Sequence, residues 1–555
     1  MTLNKTKSTI TGLNLTKEVL AQHGLSDLTL VMEGSQPAAV VLGHPVGPSS
    51  FVDRAMAAVV TKLRALHKAL GRVQDPQVEL LLARASLGVC RVTHLMRGVL
   101  GRCLTQGLDT VDQLCRSTLE RIVGGALDAD AWIQASLPLR MGGLGMTHSK
   151  SMAGAAFTAS ALGFASRAHS LGLPMEAAVP TEDLREAVAS LPQRGAAVAD
   201  LRQAVAATGP VLVKDPKAMS QRFWGEAVHL CNQEKLRMNS TARSLARLNE
   251  LKTPIAASWL TPPPAKSLGL SFEAAEFRLL LKWRLGLPIL PQPSICPRCG
   301  DLADIYGDHA MTCVRASHVA RHEGVIDALA RVVAMSGGKV QRNVAVAGRL
   351  RPADLLISAW GPQQMAVDGT VRHGVGEFDS LGDPLGRAAN SKHIKYDEHC
   401  RLTKLDFLVF GLTTFGAADE EALEMIRTLK THLNERFGKR EGRELGQQAV
   451  ERIAVATMRG VGAQLAELVS CAPGEDPLMV DQVRAVHHEV TPEHARWRAW
   501  ASAHGFEAAP PTNLPESLGV RVLASAPTGA LEPEVLQRRL FWEDPALGAR
   551  VFVRD

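Results

Sequence analysis

Between Phe51 and about Gly125, apolar residues recur at intervals of three and four, first as Val60, Leu63, Leu66 and Leu70 and then as Leu80, Leu81, Ala85 and Val89. That spacing lines one face of a helix, so the segment predicts amphipathic, antiparallel helices. After it, Leu139-Arg-Met-Gly-Gly-Leu-Gly-Met146 breaks the pattern, and Ser149 to Ala168 is a small-residue-rich run that predicts another helix. The glycines read as a loop between helices, with a phosphate cradle as the alternative; no P-loop lysine follows them. Pro262, Pro263 and Pro264 close a first half that is mostly helix, and a short helix is predicted from Phe272 to Leu285. Pro288, Pro291 and Pro293 then lead to a group of cysteines, a plausible boundary. Beyond it the texture changes to a helix from about His322 to Met335, strands, a helix, a strand over Leu405–Leu412 and a helix over Glu420–Phe437, an α/β pattern. A further helix is predicted from Gln447 to Val469, and the Pro-rich tail from Ala508 onward is expected to be loosely ordered. No internal repeat is visible.

At 555 residues the chain is too long for one core and, at roughly 100 to 200 residues per domain, has room for three or four. With 46% hydrophobic and 21% charged residues it reads as an ordinary soluble globular protein. It has no run of 18 apolar residues, and Met1 to Lys7 is polar, so neither membrane spans nor Sec-type export is expected. Nine cysteines are too few for a disulfide scaffold and odd in number, which points to a reducing compartment. The net charge of +6 excludes a uniformly basic coat, but Phe51 to Arg121 carries 11 Lys or Arg against 6 Asp or Glu, so most of the imbalance sits there.

Three of the nine cysteines fall within 18 residues, in the arrangement C-x2-C-x9-H-x3-C formed by Cys296, Cys299, His309 and Cys313. Two thiolates on a tight turn and two more ligands one helical turn apart can close on one ion, and tetrahedral zinc is the natural occupant. Four protein ligands leave no open position for water, so such a site is structural and its binding energy supports folding. His318 and His322 could compete as ligands, but are expected to support the site or to face DNA.

Two strand-like runs follow, Ala353 to Trp360 and Gln364 to Val371, separated by Gly361-Pro362-Gln363. A hairpin centred on Gly361 pairs position 354 with position 368, so Asp354 and Asp368 face each other. Directly opposed side chains in an antiparallel pair have Cβ atoms about 4.5–5.5 Å apart, and like charges there need neutralising. A hard divalent cation, Mg2+ or Mn2+, does that. Downstream, Lys392-His-Ile-Lys395-Tyr396 is predicted on a helix that presents two ammonium groups and a phenol on one face. A lysine beside a metal-bound phosphate can offset developing charge and position or deprotonate a water.

In order and spacing these residues resemble the C-terminal half of the polyprotein of site-specific non-LTR retrotransposons, whose endonuclease is restriction-enzyme-like. The similarity rests on the Cys-Cys-His-Cys knuckle, Arg351-Pro-Ala-Asp354, Asp368 after 13 intervening residues, and Lys392-x-x-Lys395-Tyr396. Leu42-Gly-His-Pro-Val-Gly47 is similar to the Leu-Gly segment that follows the polymerase palm, and the helices through Gly145 look like the reverse transcriptase thumb and connector. The likeness spans about residues 35 to 470. It implies a multidomain chain with a mostly α-helical, thumb-like N-terminal half, a small zinc knuckle and an α/β restriction-endonuclease-like domain. The implied units are a residual palm edge (1–50), a thumb and connector region (51–250), a linker and zinc knuckle (251–320), the endonuclease domain (321–440), and a C-terminal helix with its tail (441–555).

By the same resemblance, Asp354 and Asp368 are the metal carboxylates, Lys395 or Lys392 is the catalytic lysine, and Tyr396 belongs to the catalytic set. Thr370 takes the strand position where many nucleases of this fold carry that lysine. Family members more often read Arg or Lys, Pro, Asp without a break, whereas Ala353 intervenes here. Reverse transcriptases carry paired aspartates for two-metal chemistry; this chain has no Asp-Asp dipeptide, so polymerisation is not expected. The implied protein is an intracellular, nuclear or cytoplasmic DNA nickase with structural Zn2+ and catalytic Mg2+ or Mn2+. Its implied partners are target DNA and the element RNA, with no membrane and no small-molecule substrate. The alternatives are a non-catalytic nucleic-acid-binding remnant and a host regulatory protein that uses the knuckle for protein contacts.

Overall fold

In a computed structural model of the chain, the described residues are 9–12, 15–23, 25–26, 29–172, 181–192, 196–208, 219–316, 318–344, 353–375, 383–470, 541–544 and 549–552. Arg351 and most of the Pro-rich tail lie outside them. The described residues are mostly helical, with a small sheet region and a Cys-rich cluster.

The first half is built on helices α1 (Ser49–Leu70), α2 (Gly101–Val123), α3 (Ser149–Ser170), α4 (Gln221–Met238), α5 (Ala242–Glu250) and α6 (Ala274–Leu285). The predicted stripe of α1 is real, with Val60, Leu63 and Leu70 buried. The antiparallel expectation fails for α1 and α2, which run side by side in the same direction. Met56 fills the space a side chain at Gly107 would need, and one further stretch along both helices His67 Nδ1 lies 2.7 Å from Thr118 Oγ1. The chain returns between them through a helix at Pro76–Leu82 and a π-helical turn at Ala83–Leu87. A π turn takes more residues per revolution, which throws the spacing of three and four out of step. Leu80 and Leu87 are therefore buried while Ala85 is exposed.

The glycine-rich break after Leu139 is a buried turn, and its N–H groups are consumed locally. Gly142, Gly143 and Gly145 donate to the carbonyls of Leu139, Pro138 and Leu137 at 3.0, 3.1 and 2.9 Å. Gly142 and Gly145 have φ of 87° and 75°, the left-handed region where glycine carries no penalty. What the loop presents is carbonyl oxygen, not N–H. The buried Arg284 guanidinium donates to Leu139 O and Gly143 O, both at 3.2 Å, and to Ala256 O at 3.1 Å. The phosphate-cradle alternative is thereby removed.

Helices α7 (His318–Met335), α8 (Pro384–Leu402), α9 (Glu420–Phe437) and α10 (Lys439–Ser470) surround strands β1 (Lys339–Val344), β2 (Ala353–Ser358), β3 (Gln364–Arg372) and β4 (Leu405–Thr413). The sheet order is β4-β3-β2-β1. Strands β1, β2 and β3 are successively antiparallel, and β4 returns parallel to β3 after the crossover through α8. Leu355, Ile357 and Val367 pack on one side of the sheet among Ile326 and Leu329 of α7 and Met425 of α9. Leu356 and Ala366 pack on the other with Tyr396 and Cys400 of α8. Helix α10 begins well before the expected Gln447 and buries much of its length, sharing a continuous core with the first-half helices and the cysteine cluster. Trp283 of α6, stacked on Phe415 at 4.6 Å and 5°, lies where that core meets the end of β4.

Candidate metal centres

The first centre is the cysteine cluster. Asp304 shapes it, accepting the backbone N–H groups of Tyr306 and His309 at 2.7 Å and of Asp308 at 3.2 Å, and so starts the single turn Asp308–Thr312 that carries His309 toward the thiols. Gly307, at φ 87°, faces Leu465 of α10 so closely that a side chain would not fit. The ligand atoms of Cys296, Cys299, His309 and Cys313 lie within 4.8 Å of one another. Zinc–sulfur bonds of about 2.3 Å set tetrahedral S···S edges near ~3.8 Å. Cys296 Sγ and Cys313 Sγ are 3.9 Å apart, which matches such an edge and excludes a disulfide. Cys299 Sγ and His309 Nε2 are separated by 3.2 Å. Burial opposes ionisation of Cys296, but the N–H groups of Cys299 and Arg298 and the His309 ring outweigh it and bring the thiol down to about 6, while the neighbouring Cys299 is pushed up to about 12, so Cys296 is the first of the two to ionise. The four residues predicted from sequence come together as one site able to hold a metal such as zinc.

The second centre is the aspartate pair. Strands β2 and β3 pair as Leu355 with Val367, Leu356 with Ala366 and Ile357 with Met365, the register expected for a hairpin centred on Gly361. One residue beyond the last paired position, Asp354 Oδ2 accepts the Gly369 N–H at 2.7 Å. The carboxylate thus reaches the neighbouring strand directly. The same oxygen lies 3.0 Å from His322 Nε2 of α7. Burial disfavours the Asp354 charge, but His322 and the Gly369 N–H hold its pKa below the ordinary value. For Asp368 burial wins. Aided by the nearby Asp354 charge and only partly opposed by Lys392, it raises the carboxyl to about 6.

The lysine-bearing helix covers this pair. Lys392 Nζ is 2.6 Å from Asp368 Oδ1 and 3.1 Å from Gly369 O, so of the two candidate lysines this one enters the site. Its neighbour His393 fixes the helix, with Nδ1 2.8 Å from Asp397 and Nε2 2.8 Å from Glu421, whose other oxygen accepts Val409 N–H at 2.8 Å. Lys395 is exposed, its ammonium 4.7 Å from the centre of the Tyr396 ring. The Tyr396 ring itself is buried, edge-on to Phe407 at 5.7 Å. Asp354, Asp368 and Lys392 are therefore assembled, Lys395 stands at the rim, and Tyr396 packs beneath.

His322 is the residue that sequence reading placed differently. Of the two histidines expected to support the knuckle or to face DNA, His318 supports the knuckle, its Nε2 lying 3.0 Å from Cys313 O. His322, one helical turn later, faces Asp354 instead, and its ring nitrogen and the two carboxylates have atoms within 4.8 Å of one another. The available signal was the spacing of four along a helix, which puts both histidines on one face but does not say what that face meets. No protein-family model and no curated protein matches this chain.

Proposed function

We propose that the chain is the endonuclease-bearing C-terminal part of a non-LTR retrotransposon protein, a metal-dependent enzyme that nicks DNA and does not polymerise it. In this reading the unit formed by α7–α9 and β1–β4 is restriction-endonuclease-like, and the helical half and the knuckle grip nucleic acid. The observation that carries it is the convergence of Asp354, Asp368 and Lys392 from the two inner strands and the crossover helix.

A divalent ion held there, Mg2+ or Mn2+, supplies an acidified water and polarisation of the scissile phosphate. Asp354 and Asp368 contribute the hard oxygen donors that such an ion requires. Lys392, within hydrogen-bond reach of Asp368, carries the positive charge and N–H donors that stabilise charge developing on phosphate oxygens. Exposed Lys395 offers a phosphate-backbone contact at the rim. The test is a supercoiled plasmid incubated with Mg2+ or Mn2+. Wild type is expected to give open circles and Asp368→Asn to leave the plasmid intact; equal nicking by both overturns the reading.

One observation favours a second reading, a nucleic-acid-binding remnant without catalysis. The Lys392 ammonium, 2.6 Å from Asp368 Oδ1, offsets the charge of that carboxylate by itself. Salt-sensitive DNA or RNA binding without metal-stimulated cleavage is the outcome that selects it.

A further inference from the structure

We infer that His322 is a direct ligand, through Nε2, of the ion held by Asp354 and Asp368, so that the centre is a mixed nitrogen–oxygen site preferring Mn2+ over Mg2+. This rests on the reading above only in placing a divalent ion between the two aspartates; the identity of the third donor is independent of whether DNA is cut.

Three elements converge to present the imidazole. His322 stands in the second turn of α7 with Nε2 turned to Asp354 Oδ2 at 3.0 Å, a separation comparable to that of adjacent donors around one ion. Across from it Gly369 has no side chain. A Cβ there would come within 3.2 Å of His322 Nε2 and would collide with Ile326, so glycine leaves the imidazole its place. On the far side of the ring, Nδ1 lies 3.7 Å from Glu323 Oε1, and Arg342 of β1 holds that carboxylate by an ion pair. At 3.7 Å that carboxylate is beyond hydrogen-bond reach, but its negative charge behind Nδ1 favours a ring that carries its proton there and turns the Nε2 lone pair toward the aspartates. Lys392 approaches through Asp368 Oδ1 and supplies no donor to an ion.

Donor chemistry then decides the ion. Mg2+ favours an all-oxygen octahedron and keeps its waters, whereas imidazole nitrogen shifts a site toward first-row transition ions. The thiolate cluster takes zinc through its soft sulfur donors, and filling it first leaves the mixed site to be compared for Mn2+ against Mg2+.

The experiment uses the full chain with zinc loaded and quantified, titrated with Mn2+ and followed by electron paramagnetic resonance. Mn2+ is expected to bind at least tenfold more tightly than Mg2+ in competition, and the bound Mn2+ to show spin-echo modulation from one imidazole 14N. His322→Gln should abolish that modulation and weaken Mn2+ binding at least tenfold while leaving Mg2+ affinity within about threefold; Asp368→Asn should lose both ions. Mn2+ bound without 14N modulation, or an unchanged preference in His322→Gln, overturns the proposal and leaves the nuclease reading standing. Mn2+ bound with the modulation to a protein that nicks no plasmid supports the ligand set and overturns the nuclease reading instead.

Discussion

Lys392 and Asp368 are 24 residues apart in sequence and 2.6 Å apart in space, joined because the chain leaves β3, crosses over as α8 and returns as β4 parallel to β3. The crossover lays α8 on the sheet, and the residue that reaches the aspartate is Lys392, not Lys395. Replacement of Lys392 by Met is therefore expected to slow nicking by about a hundredfold, the scale of losing one charged donor at a phosphoryl centre. Lys395→Ala should retain the rate within a few-fold. Initial rates of open-circle formation for the two variants separate them, and the reverse order would assign catalysis to Lys395.

Lys395, exposed above the Tyr396 ring, has a different expected role. If it neutralises one phosphate, Lys395→Ala lowers the slope of log affinity against log salt by about one, uniformly across DNA sequences. Fluorescence anisotropy at several salt concentrations measures that slope, and an unchanged slope places the lysine outside the interface.

The cysteine cluster lies within the same core as α6 and α10, so losing its ion should unfold more than a loop. One zinc per chain is expected by metal analysis. Chelation, or Cys296→Ser, should cost roughly 5 kcal/mol or more in a denaturant titration. A protein that binds no zinc and has wild-type stability after Cys296→Ser would remove the structural role.

Glu276 of α6 packs against Gly462 of α10, and burial raises its carboxyl to about 7, with Arg459 opposing. A carboxyl raised on folding supports stability at pH values below its unfolded pKa of about 4.3, and that support is lost as pH rises through the folded value. The window runs from roughly 4.3 up to about 7. Glu276→Gln should accordingly be more stable than wild type at pH 8, by on the order of 2 kcal/mol, and close to it at pH 4.5. Melting curves at the two pH values check the sign.

Arg284 ties the glycine turn to the core by donating to three backbone carbonyls. Arg284→Met leaves Gly143 O and Ala256 O buried without the donor they now have, while Leu139 O keeps the Gly142 N–H, and should destabilise the protein by about 3 kcal/mol. The measurement is an unfolding midpoint, and a shift under ~0.5 kcal/mol would show that the carbonyls find other donors.

Features set by near neighbours were legible from sequence. The Gly361-Pro362 turn and the alternation on either side of it define the β2–β3 register, and α9 spans the predicted Glu420–Phe437. The knuckle's short loop likewise restricts which donors can meet. What escaped depends on distant partners. The direction of α2 relative to α1 follows from the return of the chain through the segment between Pro76 and Gly98, which local spacing does not encode. The glycine turn is explained by Arg284, far along the chain, and the target of His322 by the way α7 lies across the sheet. Tyr396 reads as a site residue by its position after Lys395, yet it stands on the sheet-facing side of α8, where its ring meets Phe407.

The two aspartates stand on the inner strands of the sheet, each flanked on both sides. A slip of one residue in β2 would exchange its two faces, carrying Leu355 and Ile357 to the side covered by α8 and driving the Asp354 carboxylate into the apolar layer beneath α7 and α9. Misalignment and collapse are thus the same event for this molecule. Molecules that lack the paired carboxylates through misalignment should therefore be unfolded molecules, with no crooked but folded form beside the intact one.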